Sequence, residues 1–210
     1  MSELSLSGKN WIYKKFDSSY VEFLKENYSL DEITAKLLSI RNIEKDSIKS
    51  FLEPSIKNLI PNPNTLRDME KTTLRLLKAI NENQRIGIFG DYDVDGASST
   101  AIIGNYLKII KKNFEIYIPD RRSEGYGPSI KSFQNLIDKK VNLIITVDCG
   151  TMSFDAIDFA NKNNVDVIVL DHHQSEINLP KAHSIINPNR IDDNSKLNYL
   201  CAAGVCFMTL

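Results

Sequence analysis

The chain has little of what staples or anchors small and exported proteins. Three cysteines, Cys149, Cys201 and Cys206, are too few and too oddly numbered for a disulfide framework, and no Cys-x-x-Cys pair offers a zinc site. The opening Met-Ser-Glu-Leu-Ser-Leu-Ser lacks the basic and then apolar run of a signal peptide. No uncharged apolar run reaches the ~20 residues of a membrane helix. Excess charge is missing too: 26 Lys+Arg face 27 Asp+Glu, a net of −1, which excludes a histone-like binder and an acidic disordered tail. Repeats and low-complexity tracts are absent. What remains is 210 residues, 42% hydrophobic, enough for one large core or a core plus a smaller appendage. The expectation is a globular, cytoplasmic protein with no membrane contact.

The chain changes character near residue 85. Residues 1–84 read as helical. Ser29-Leu30-Asp31-Glu32 has the spacing of a capping box ahead of Ile33, Leu37, Leu38 and Ile40. A second helical stretch, Ile48–Leu52, stops at Pro54, and Pro61-Asn62-Pro63-Asn64 is a loop. Met69, Thr73, Leu76, Leu77 and Ile80 mark one face of a further helix.

From residue 85 onward, apolar strands alternate with helices. Strands are expected at Arg85–Gly90, Phe114–Ile118, Asn142–Val147, Val165–Leu170 and Ser184–Ile186. Helices are expected at Ala97–Lys112, around Ile130–Ile137, and at Ser153–Asn163 capped by Ser153. Strands that are apolar throughout and separated by helices imply a parallel sheet covered on both faces. The fold class is therefore α/β, a doubly wound sheet behind a helical lead-in.

The residues that follow the strands carry the chemistry. Asp91-Tyr92-Asp93-Val94-Asp95-Gly96 follows the first strand, Asp148 the third, and Asp171-His172-His173 the fourth. In an open parallel sheet the carboxyl ends of the strands share one rim, where ligands bind. So much carboxylate in one place repels itself unless a cation is present. Hard oxygen ligands with one or two imidazoles suit Mn²⁺ or Mg²⁺, with two ions sharing a bridging carboxylate. Taken singly, each piece has a plainer reading. Asp148 alone reads as a helix cap, and His172-His173 alone as a surface pair. A calcium loop opening at Asp91 needs Glu at residue 102, which is Ile. Cys149 is a candidate nucleophile without a recognisable Cys–His–Asn set, so a small residue filling the turn is preferred. His183 reads as structural or exposed.

Asp-Tyr-Asp-Val-Asp-Gly (91–96), Asp-Cys-Gly (148–150) and Asp-His-His (171–173) resemble the first three motifs of the DHH phosphoesterase superfamily. Pro119-Asp120-Arg121-Arg122-Ser123-Glu124-Gly125-Tyr126-Gly127 and Ile185-Ile186-Asn187-Pro188-Asn189 narrow the resemblance to its single-strand-specific 5′→3′ DNA exonuclease branch. Phe51-Leu52-Glu53-Pro54 and Leu66-Arg67-Asp68-Met69 extend it, so that it runs from about residue 35 to the end. The resemblance implies a metal-dependent phosphodiesterase that degrades single-stranded DNA in recombination and repair. It implies that Asp93 and Asp95 each bind a metal, Asp148 bridges the two, and His172 completes one coordination sphere, with Asp91 a further candidate. His173 would face the scissile phosphate, Asp171 would orient a histidine, Arg121 would hold substrate phosphate, and Tyr126 would stack a base.

Members of that branch continue through a fourth metal-binding motif and further domains. This chain ends within the apolar stretch Gly204–Leu210, which reads as the N-terminal portion of a longer protein, with a catalytic domain over residues 85–210. Basic residues occur only as short pairs such as Lys111-Lys112 and Arg121-Arg122, so much of the DNA-binding surface is expected elsewhere. Two other readings stay open: a phosphodiesterase for short oligonucleotides or cyclic dinucleotides, and a non-catalytic replication scaffold.

Overall fold

The computed structural model describes residues 6–210. Chain packing divides it into two compact units, Met1–Pro61 and Asn62–Leu210. The first holds helices α1 (Ser18–Tyr28), α2 (Glu32–Ile40), α3 (Ile48–Leu52) and α4 (Ile56–Leu59). Its small core is built from Val21, Leu24, Ala35, Leu38 and Ile48. The cap of α2 corrects the expected capping box. Asp31 is the N-cap and accepts from the Ile33 and Thr34 N–H groups, while Ser29 ends α1 in the left-handed region at φ 51°. Among local oxygens, the carboxylate nearer the helix is the stronger acceptor for the orphan N–H groups.

The second unit runs α5 (Met69–Asn81), β1 (Ile86–Phe89), α6 (Val94–Ile109), β2 (Phe114–Tyr117), α7 (Ile130–Asp138), β3 (Leu143–Val147), α8 (Phe154–Lys162), β4 (Asp166–Leu170), β5 (Ser184–Ile186) and α9 (Ala202–Thr209). The five strands form one sheet in the order β2-β1-β3-β4-β5, and every pair is parallel. This is the expected doubly wound α/β sheet.

Strand periodicity explains the two layers. Ile86 and Ile88, Leu143, Ile145 and Val147, and Ile168 and Leu170 point to one face, where they pack with α5, α6 and α9. Phe89, Ile144, Val167 and Val169 point to the other, against Phe133 and Leu136 of α7 and Ala156, Ile157 and Ala160 of α8. Both faces are apolar because both are covered. Each fully buried Ile, Leu or Phe contributes about 1.5–3 kcal/mol relative to exposure.

Helix α5 belongs to this sheet core through Met69, Leu76 and Ala79. The face expected for it is turned slightly: Thr72 and Arg75 are buried and Leu77 is exposed. A long-range partner decides this, since Arg75 Nε donates to Asp166 Oδ2 at 2.6 Å where β4 begins.

Candidate metal centre

The order β2-β1-β3-β4-β5 reverses direction between β1 and β3, the point in a doubly wound sheet where a crevice opens beyond the strand tips. Asp91 leaves β1 there, Asp148 leaves β3 and Asp171 leaves β4. Local geometry aims each of them. Asp91 is buried beside Gly96, where a Cβ would sit 2.6 Å from Asp91 Cβ and 2.7 Å from its carbonyl oxygen. The glycine of the first motif is therefore required by close packing. Asp93 is the N-cap of α6 and accepts from the Asp95 and Gly96 N–H groups at 2.9 Å each. At the tip of β3 the chain turns through the left-handed region, with φ 60° at Asp148 and 108° at Gly150. A Cβ on Gly150 would come within 2.5 Å of Thr146 Oγ1.

Two groups of potential ligands result. Asp91, Asp93 and Asp148 form one; Asp148, His172 and His173 form the other. In each, the ligand atoms lie within 4.8 Å of one another, and Asp148 belongs to both. His172 Nε2 is 3.2 Å from Asp148 Oδ1 and 3.4 Å from Asp95 Oδ2. Asp95 stands outside the two groups. Its Oδ2 and Oδ1 accept the Ala202 and Ala203 N–H groups at 2.8 Å, so it caps α9 across 107 residues of chain.

The electrostatics ask for a cation. Asp148 is 1% exposed, yet neither carboxylate oxygen accepts a hydrogen bond. Burial, followed by the neighbouring Asp95 and Asp93, pushes its pKa up to about 8. Burial also raises Asp91, whereas the Gly96 N–H lowers Asp93. A buried carboxylate without donors costs several kcal/mol when ionised, and a divalent ion removes that cost. The oxygen-rich donor set with imidazole at its margin fits Mn²⁺ or Mg²⁺.

Asp171 is the opposite case. Burial raises its pKa, but hydrogen bonds from His173 and Thr151 outweigh burial and hold it at about 2. Its Oδ1 is 2.7 Å from His173 Nδ1, and this contact raises the His173 pKa. Tyr126 Oη donates to the Asp148 carbonyl at 3.1 Å and lies 3.4 Å from the His173 ring nitrogens. Tyr126, Thr151, Met152 and His173 line an open cleft of about 300 Å³ beside the ligands. Arg121 is exposed, with its guanidinium carbon 5.2 Å from the Tyr92 ring centre.

Several neighbours were given no role at the site from the sequence, although Asn187 and Asn189 lie in the Ile185–Asn189 motif quoted above. Thr151, Asn187 and Asn189 all bond to the Asp-His-His segment. Asn187 follows the tip of β5 as the aspartates follow theirs, and that position was the available signal. Ser153 stands at the start of α8 but makes no side-chain cap bond. Cys149 is a free, buried thiol whose pKa burial raises, which suits a turn filler and not a nucleophile. His183 precedes β5 at the opposite rim, where its N–H donates to Val167 O.

A five-stranded parallel α/β sheet with an Asp/His cluster at its switch point defines a doubly wound α/β protein whose strand-tip rim carries potential metal ligands. The chain belongs to the DHH family: the family's N-terminal domain matches residues 85–210. It is 31% identical over 202 residues to the single-stranded-DNA-specific exonuclease RecJ of Bacillus subtilis (strain 168), covering 96% of this chain and 26% of that protein. The RecJ of Haemophilus influenzae is 36% identical over 157 residues, 74% of this chain and 27% of that protein. The crystal structure of exonuclease RecJ bound to manganese superposes with a TM-score of 0.63 at 30% identity, covering 69% of this chain and 36% of that one. The chain thus spans about a quarter of the length of the curated relatives it matches.

Proposed function

We propose that the chain is the metal-binding part of a single-stranded-DNA-specific 5′→3′ exonuclease that hydrolyses phosphodiester bonds in recombination and repair. The observation that carries this is Asp148, buried without donors and shared by two ligand groups at the switch point. The relatives named RecJ, one of them bound to manganese, support the same substrate and ion for this chain. Residues 85–210 are the catalytic domain in this reading, and the substrate places the work in the cytoplasm.

Each residue takes a role from its surroundings. Asp91, Asp93 and Asp148 would hold one ion, and Asp148 with His172 and the flanking Asp95 would hold a second. Divalent ions bound there would supply charge neutralisation at phosphorus and a more acidic water for in-line attack. His173, with Nδ1 held by Asp171, would present Nε2 to the scissile phosphate as a charge stabiliser or, when the ring carries both protons, as a proton donor. Arg121 receives substrate phosphate on its planar fork, and the exposed Tyr126 ring stacks a base. The intact acid cluster weighs against a non-catalytic scaffold.

Asp148→Asn in the complete protein is expected to abolish Mn²⁺-dependent release of nucleotides from 5′-ended single strands while the circular dichroism spectrum stays unchanged. Unaltered turnover removes the bridging role.

A further inference from the structure

Asn187 is fully buried at the tip of β5, and each polar atom of its side chain is engaged at the site. Nδ2 donates to Thr151 Oγ1 and to the His173 carbonyl, both at 2.9 Å, and Oδ1 accepts the Asn189 N–H at 2.8 Å. The chemistry of these partners fixes the amide orientation: the carbonyl requires a donor and the N–H requires an acceptor. Thr151 Oγ1 therefore receives one hydrogen and must send its own elsewhere. Asp171 Oδ2 lies 2.6 Å away and also accepts the Thr151 N–H at 3.1 Å. On the other oxygen, the His172 and His173 N–H groups donate at 2.7 and 3.2 Å. The hydrogen-bonding neighbours of Asp171 are thus donors, so the remaining contact, His173 Nδ1 at 2.7 Å, carries hydrogen as well.

We infer that Asn187, acting through the Thr151 hydroxyl, is a positioning residue that fixes the tautomer and ring orientation of His173 for the reaction. The polarity runs one way along the relay, from the Asn187 amide to the Thr151 hydroxyl to the Asp171 carboxylate. It leaves Nδ1 as the protonated nitrogen of His173 and Nε2 as the nitrogen facing the cleft. Asn189 Nδ2 donates to the His172 carbonyl in parallel, so the Asn-Pro-Asn segment clamps both histidine backbones. Arg190 ties that segment down, donating to the Ile185 carbonyl at 2.6 Å and to Asp68 Oδ2 at 2.8 Å. The inference rests on the nuclease reading above for what His173 does, but its geometry can be measured without turnover.

The test uses the complete protein loaded with Mg²⁺ and labelled with ¹⁵N-histidine. Thr151→Val removes the hydroxyl, Thr151→Ser keeps it, and Asn187→Asp replaces the donor with an acceptor that draws the hydroxyl away from Asp171. Thr151→Val and Asn187→Asp are expected to lower kcat about tenfold with KM little changed, as a misplaced catalytic group does. In both, the single Nδ1–H pattern of His173 becomes an averaged one, and Thr151→Ser restores pattern and kcat. Asn187→Asp added to Thr151→Val should cost less than the two single losses combined, because they share one relay. Should Asn187→Asp not fold, the Thr151 pair decides alone. A Thr151→Val protein with normal kcat or a normal His173 pattern overturns the relay, as does a Thr151→Ser protein as impaired as Thr151→Val. A wild-type protein that degrades no DNA, yet whose His173 pattern follows Thr151 as described, supports the relay and overturns the nuclease reading instead.

Discussion

His172 Nε2 approaches within 3.2 Å of Asp148 Oδ1, an oxygen that accepts no hydrogen bond and is buried. An imidazole and a carboxylate set this close without bonding geometry have the spacing that two ligands of one ion would have. Asp91 and Asp93 approach the same carboxylate as the other group of potential ligands, so Asp148 is common to both groups.

This arrangement makes the ion-free protein sensitive to pH. Asp148 is held at about 8 in the folded chain, above its ordinary value of 3.8, by burial and the nearby Asp95 and Asp93. Below about pH 4 the group is protonated in both folded and unfolded states, and its stabilising effect is complete. Between 4 and 8 the unfolded carboxyl ionises first, so stability falls as pH rises and levels off above 8. Chelator-treated protein should therefore melt lower at pH 8 than at pH 5. Asp148→Asn should raise the pH 8 melting temperature by on the order of 5 °C and flatten the slope. Thermal melts across that range check it, and an unchanged slope in the variant removes Asp148 as its source.

Gly96 is where packing and chemistry meet. Gly96→Ala would set a methyl 2.6–2.7 Å from the Cβ, Cα and carbonyl oxygen of Asp91, atoms that cannot move aside independently. Overpacking of this kind costs about 1–3 kcal/mol, so the melting temperature should drop by several degrees. Mn²⁺ affinity should fall with it, because Asp91 shifts. Isothermal titration alongside a thermal melt separates the effects: lost stability with wild-type affinity would show that Asp91 is no ligand.

Arg121 is expected to behave in reverse. It is exposed, and its contact with the Tyr92 ring contributes about 0.5–1 kcal/mol at most. Arg121→Ala should leave the melting temperature nearly unchanged and raise KM for single-stranded DNA about tenfold, the loss of one charge-assisted contact. Arg121→Lys should recover part of this, having the charge without the fork. Steady-state kinetics decides, and an unchanged KM would return Arg121 to the surface.

Much of the fold was legible because β1, β3 and β4 are apolar on both faces, a pattern that only a twice-covered sheet produces. The acidic rim was legible for a related reason: Asp91, Asp148 and Asp171 each stand where an apolar strand ends. Features set by distant partners were not. Asp95 caps α9 from 107 residues away, and nothing near either sequence announces it. The buried face of α5 turned toward Arg75 because Asp166 awaits it across the sheet. The Ser29 capping box expected for α2 gave way to Asp31, a choice made by backbone geometry. Thr151 looks ordinary in a linear reading, and the motif and strand-tip position that mark Asn187 do not give its role, which is to bond the Thr151 hydroxyl that in turn bonds Asp171.

The most direct measurement is a Mn²⁺ titration of the complete protein followed by electron paramagnetic resonance. Two ions per chain are expected, with the broadened, exchange-coupled spectrum of a pair sharing a carboxylate, and Asp148→Asn should lose that coupling and bind its remaining ion more weakly. Uncoupled, isolated Mn²⁺ in the wild type, or a coupled pair that persists in Asp148→Asn, would contradict the shared-carboxylate centre.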